Sequence, residues 1–191
     1  MKQTLGVVLA GGAGSRIGGA KACADLHGQP LIAYPLAAIA EAGLEALVCA
    51  KPEDRLPPLE AAVLREPERP RHPLCGIVAA LKAGEGRPLV VVACDLPFVP
   101  ARLIRLLAEA PQPLVVPSFD GRLQPLLARY ETSLLPQLEA ALGRAEPLAG
   151  TVEALAPRRL GEEELTGFGD PPRMLFNVNT RADLRRAEAL F

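Results

Sequence analysis

Leu5-Gly6-Val7-Val8-Leu9-Ala10-Gly11-Gly12-Ala13-Gly14-Ser15-Arg16-Ile17-Gly18-Gly19-Ala20-Lys21 divides at Ala10 into two unlike halves. The first is a short apolar run with no polar alternation, which reads as a strand buried on both faces of a parallel sheet. The second is a loop in which glycines interleave with Arg16 and Lys21. Ligands of open α/β sheets sit beyond the carboxyl ends of the strands, so this loop stands where a ligand would. Glycines let backbone N–H groups approach an anion closely, and the two cations supply charge, so a phosphate group fits. The two familiar phosphate loops do not match. Gly14 and Gly19 are followed by Ala20-Lys21-Ala22, which breaks G-x-x-x-x-G-K-[ST], and Ile17 stands where G-x-G-x-x-G needs its third glycine.

The same alternation continues along the chain. Leu31 to Glu41 has helical character and ends at Gly43. Leu44 to Ala50 reads as a second strand and Ala61 to Leu64 as a short third. Leu74 to Ala83 reads as a helix, and Leu89 to Cys94 as a strongly apolar central strand. Pro100 to Ala110 is a helix with proline in its first turn, where the missing N–H is harmless. Leu114 to Pro117 is a strand, and Arg122 to Tyr130 pairs antiparallel beyond the Asp120-Gly121 turn. Thr132 to Leu142 is a helix closed by Gly143. Arg144 to Pro172 carries no clear period. Met174 to Val178 reads as a late strand, and Thr180 to Phe191 as a helix opened by a Thr180/Asp183 capping box. Strands alternating with helices predict one α/β domain with a mainly parallel sheet and a short antiparallel element, without linker or repeat.

Three further positions are candidates for chemistry. Asp95 follows the most apolar strand, where a carboxylate can hold Mg²⁺ against ligand phosphates or merely cap the next turn. Asn177 and Asn179 are the chain's two asparagines. On a strand they would point to one side and could orient ligand oxygens or complete a metal shell; turn chemistry is the other reading. Glu66 can accept hydrogen bonds from a base ring or lie solvated at the surface. Pro73-Leu74-Cys75-Gly76 opens a helix whose N–H groups could face a ligand. His27 and His72 lack partners at ligand spacing and read as surface residues. Neither G-x-S-x-G nor H-E-x-x-H occurs, so hydrolysis through a covalent intermediate has no support.

Composition narrows the partners. A net charge of -1 argues against broad binding to nucleic acid or anionic lipid, and 4% aromatics with no Trp argue against base-stacking platforms. No apolar run reaches the roughly 18–20 residues of a membrane span, and the N-terminal run is too short for a signal peptide, so a cytoplasmic protein is expected. Cys23, Cys49, Cys75 and Cys94 form no C-x-x-C pair and read as free thiols, at least three of them in apolar surroundings.

Taken together, Leu9-Ala-Gly-Gly…Arg16-Ile-Gly-Gly…Lys21, Pro73-Leu-Cys-Gly76, Cys94-Asp-Leu-Pro97 and Asn177-Val-Asn-Thr180 resemble the nucleotidyltransferase-like α/β family, most closely the molybdenum cofactor guanylyltransferases. Each piece alone is weak; the set, in order and over essentially the whole chain, is specific. The resemblance implies a Rossmann-like three-layer domain of the nucleotide-diphospho-sugar transferase type. It implies Mg²⁺-dependent transfer of GMP from GTP to the terminal phosphate of molybdopterin, with pyrophosphate leaving. GTP would lie on Leu9, Ala10, Gly11 and Gly12, its phosphates neutralised by Arg16 and Lys21 and its Mg²⁺ held by Asp95. The base would lie near Cys49 and Glu66, and Asn177 and Asn179 would face the pterin. A monomer that hands its product to molybdoenzymes or their chaperones is the expected setting.

Two departures from the family pattern bear on this. The segment before Lys21 is one residue shorter than the commoner Asp-Lys form and lacks its Asp. A base-contacting Asn is replaced near Cys49, with Glu66 standing for the usual Asp. Three alternatives therefore stay open: a cytidylyltransferase acting on the same pterin, a sugar-phosphate nucleotidyltransferase, and a non-catalytic GTP-binding module.

Overall fold

The computed structural model describes residues 3–11 and 20–191. In chain order its elements are β1 (Leu5–Leu9), β2 (Asp25–Leu26), β3 (Gln29–Pro30), α1 (Ala33–Glu41), β4 (Glu45–Ala50) and β5 (Ala62–Arg65). There follow α2 (Pro73–Ala83), β6 (Leu89–Ala93), α3 (Ala101–Glu109), β7 (Leu114–Phe119), β8 (Arg122–Leu123) and β9 (Leu127–Tyr130). The last are α4 (Leu135–Gly143), α5 (Leu148–Ala154), β10 (Arg158–Leu160), α6 (Glu162–Thr166), α7 (Pro171–Met174) and α8 (Arg181–Glu188).

The main sheet runs β10-β7-β9-β6-β1-β4-β5, with β8 paired to β7; β2 and β3 form a separate small antiparallel pair. β1 is parallel to both β4 and β6, and β4 to β5, whereas β9 is antiparallel to β6 and β7. The mainly parallel α/β fold predicted from the alternation is the one observed. Period-2 side-chain geometry then divides the core. Val7 and Leu9 face a cluster with Ile77 and Leu81 of α2 and Leu138 of α4, and Val8 faces a cluster with Ile39 of α1 and Ile104 of α3. The result is three layers, helices on both faces of the sheet. Gly6 lets α1 come close: a Cβ there would stand 2.4 Å from Ile39 Cγ2.

From β1 the chain steps through β4 to β5 on one side, then returns to β6 on the other. Strand direction of travel therefore reverses beside β1, the kind of position where such sheets bind ligands. Leu9 lies abreast of Cys49 in β4 and Ala93 in β6. Two residues further on, Gly11, Lys51 and Asp95 emerge at one edge.

Helix ends follow local chemistry. Thr180 caps α8 in a reciprocal box with Asp183, as expected. α2 begins with Pro73 after His72, whose Nδ1 accepts the Leu74 N–H at 3.2 Å. His72 is thus a half-buried cap rather than a free surface residue. The predicted strand over Met174 to Val178 is not formed. Asp170 caps α7 by accepting the Arg173 N–H, and the buried Met174, Leu175 and Val178 recur at helix-like rather than alternating spacing. Asn177 and Asn179 consequently share no strand face. The unassigned stretch after Arg144 holds α5, β10, α6 and α7. No helix among the described residues is long and apolar enough to cross a membrane.

Candidate active site

A cleft of about 350 Å³ opens at the edge where β1, β4 and β6 end. Its lining includes Leu9, Gly11, Lys21, Glu66, Gly76 and Asp95. It has two chemically distinct ends.

At one end Lys21, in a single 3-10 turn, extends its ammonium to Asp95. Nζ lies 2.5 Å from Oδ2 and donates a second hydrogen bond to Asn179 Oδ1 at 2.7 Å. The Asp95 backbone carbonyl accepts the Val178 N–H at 3.0 Å, which ties the loop after β6 to the asparagine segment. Oδ1 of Asp95 is buried and has no hydrogen-bond partner among the described residues. A buried carboxylate oxygen left unpaired is costly unless something else meets it, and a cation does so. Among the described residues no three His, Cys, Asp or Glu side chains converge into a closed metal cage. Mg²⁺ takes one or two carboxylates and completes its shell with water and substrate phosphates.

At the other end Glu66 follows β5, its N–H donating to Ala50 O at 3.0 Å. The side chain is 6% exposed. Its Oε2 lies 3.4 Å from Lys51 Nζ, yet makes no hydrogen bond among the described residues. Two glycines clear space around it. A Cβ on Gly11 would stand 3.3 Å from Glu66 Oε1, and one on Gly76 would stand 3.4 Å from Oε2 and 3.0 Å from Leu9 Cδ2. Cys49 is fully buried beside them and donates to Gly76 O at 3.6 Å. Burial first and the Glu66 charge second push its thiol up to about 12, so it stays a neutral donor rather than a nucleophile. Cys94, beside Asp95, is likewise pushed up to about 12, mainly by burial.

The fold brings Leu9, Ala10, Gly11, Lys21, Cys49, Glu66, Asp95 and Asn179 to one edge. Asn177 is not drawn in: its amide donates back to Leu175 O at 3.0 Å. Gly12 and Arg16 lie outside the described residues. Sequence reasoning missed Lys51, Asp54 and His72, all of which line the cleft. Lys51 did carry a signal, because it directly follows an apolar strand, as Asp95 does.

Residues 6–159 match the family of the MobA-like NTP transferase domain. A probable molybdenum cofactor guanylyltransferase of Bacillus licheniformis is 32% identical over 97% of this chain and 96% of its own. The crystal structure of molybdopterin-guanine dinucleotide biosynthesis protein A from Archaeoglobus fulgidus superposes with a TM-score of 0.82 at 28% identity, covering 98% of each chain. A 2-C-methyl-D-erythritol 4-phosphate cytidylyltransferase from Thermus thermophilus shares the fold, with a TM-score of 0.69 at 23% identity over 98% of each chain.

Proposed function

The chain belongs to the MobA-like NTP transferase family and is a nucleotidyltransferase, and we propose that it transfers GMP from GTP to the terminal phosphate of molybdopterin. The observation that carries this reading is one cleft with a phosphate end and a base end. Lys21 and Asp95 stand at the first, and at the second the buried carboxylate of Glu66, whose Oε2 has no hydrogen-bond partner among the described residues.

The base end favours guanine on chemical grounds. Guanine presents N1–H and a 2-amino group side by side, a donor pair that one carboxylate accepts. Cytosine and adenine offer an amino donor beside a ring acceptor, which a carboxylate repels. Gly11 and Gly76 keep the space beside Glu66 free for such a ring.

The phosphate end fits the transfer step. An oxygen of the acceptor phosphate bonds to the α-phosphorus of GTP, the α–β bridging P–O bond breaks, and pyrophosphate carries away the electron pair. Lys21, with two of its three N–H donors engaged, turns the third towards negative charge that builds on the phosphates. Asp95 Oδ1 would hold Mg²⁺, which when bound supplies further neutralisation of the triphosphate. The protein's share is positioning and electrostatics, with no covalent intermediate on a side chain.

The test is pyrophosphate release with Mg²⁺, molybdopterin and each of GTP, CTP and ATP, beside calorimetric titration of the three nucleotides. Release with GTP alone is expected. Equal or tighter CTP binding overturns the base assignment. Absence of release with GTP and molybdopterin overturns the reaction.

A further inference from the structure

Lys51 takes no part in the chemistry above, yet it is 5% exposed and held from every side. Its Nζ donates to Pro67 O at 2.6 Å and Pro70 O at 3.0 Å, and lies 3.4 Å from Glu66 Oε2. Its backbone N–H donates to Asp54 Oδ2 at 2.9 Å, and its carbonyl accepts from Arg65 Nη1 at 2.7 Å. An ammonium taken out of water is costly unless its donors are met. Here two donors meet backbone carbonyls and the charge stands beside a carboxylate, all from the segment that leads from β5 to α2.

We infer that Lys51 is a positioning residue for nucleobase selectivity, holding Glu66 as a fixed, charged acceptor for the exocyclic amino group of guanine. The inference rests on Glu66 being the guanine acceptor, as proposed above. A Glu side chain has three rotatable bonds and, left alone, turns its charge to water. Accepting two N–H groups in the plane of a base requires one orientation. The Lys51 charge stands 3.4 Å from Oε2, and Gly76 lies beside the same oxygen and against Cys49. Since Lys51 makes no directed hydrogen bond to Oε2, it attracts the carboxylate without using up its acceptor capacity. By fastening Pro67 and Pro70 it also fixes the chain that carries Glu66. Discrimination then resides in the 2-amino group, which hypoxanthine lacks while keeping N1–H.

Calorimetric titration with GTP and ITP tests this in the wild type and in Lys51→Met, Lys51→Arg and Glu66→Gln. The wild type is expected to prefer GTP by about tenfold or more, the worth of one charge-assisted hydrogen bond. Lys51→Met should shrink that ratio at least about fivefold although the carboxylate is still present. Lys51→Arg should fall between, because a planar guanidinium cannot meet both carbonyls and Glu66 from one place. If Lys51 only supported the fold, both nucleotides would weaken alike and the ratio would persist, which overturns the inference. Should Lys51→Met fail to fold, Lys51→Arg decides, and a wild-type ratio there overturns it. A wild-type ratio in Glu66→Gln instead sinks the guanine reading itself. Loss of the ratio in Glu66→Gln with its retention in Lys51→Met sinks only the role of Lys51.

Discussion

Lys21 and Asp95 are 74 residues apart in sequence, and their side chains meet with Nζ 2.5 Å from Oδ2. Each side chain keeps only 14% and 13% exposure, so this is a nearly buried pair rather than a solvated surface bridge. The pair links the segment after the glycine loop to the end of the central strand. One Asp95 oxygen is spent on it, and the other has no partner among the described residues.

Asp95→Asn keeps the shape of the side chain and removes its charge. Turnover should fall by at least about 100-fold, as when a preorganised electrostatic contact to a reacting group is lost. Stability should fall by about 1–3 kcal/mol, because Lys21 loses its counter-charge but keeps Asn179 and some water. Pyrophosphate release and a urea melt measure the two. Turnover within threefold of wild type overturns the role of Asp95.

The two asparagines should behave differently. Asn179 accepts from Lys21 at 2.7 Å, whereas Asn177, among the described residues, bonds its own backbone segment at Leu175 O. Asn179→Ala should weaken GTP binding severalfold, up to about tenfold, by freeing the Lys21 ammonium from one of its two anchors. Asn177→Ala should leave GTP affinity at the wild-type value, and any deficit should appear only when molybdopterin is the varied substrate. Titration with GTP distinguishes them; equal effects would mean that the Lys21 contact has no bearing on the nucleotide.

Much of this was legible in the sequence because its signals are local. β1, β4 and β6 are apolar runs, and α8 declares itself by Thr180 and Asp183. Lys21, Glu66 and Asp95, singled out by the loop after β1 and by their places after apolar strands, line one cleft. What was not legible depends on tertiary context. β10 is three residues long with only Leu160 buried, and it exists because β7 offers it an edge. The run Met174 to Val178 is too short for periodicity to separate strand from helix. Lys51 looks like any polar residue after a strand until Pro67 and Pro70 turn their carbonyls to it.

The close approach of α1 to β1 gives a test of packing. A Cβ on Gly6 would lie 2.4 Å from Ile39 Cγ2 and 3.2 Å from Cγ1. Gly6→Ala should therefore destabilise by about 1–3 kcal/mol through overpacking. Ile39→Ala should cost about 2–5 kcal/mol through the cavity it leaves. In that second background Gly6→Ala should become neutral or mildly stabilising, because the obstructing atoms are gone and glycine is a poor strand residue. A double-mutant cycle of denaturant midpoints measures the coupling; simple additivity would mean that the two residues do not compete for space.

The buried thiols give a pH dependence whose sign is fixed. Cys49 and Cys94 are raised from 9.0 to about 12, above all by burial. The folded state thus keeps protons that the unfolded chain releases, and stability falls where the unfolded state binds fewer. These thiols contribute their full stabilisation below about pH 9 and lose it progressively as pH rises towards about 12. Denaturant melts should show declining stability across that window, with a shallower slope in Cys94→Ala and in Cys49→Ala than in the wild type. The same burial predicts that at pH 8 a thiol reagent modifies the exposed Cys23 and leaves Cys49, Cys75 and Cys94 intact until denaturant is added. Rapid native labelling of Cys49 or Cys94, or an alkaline slope unchanged by their removal, would show that these thiols titrate as solvated groups.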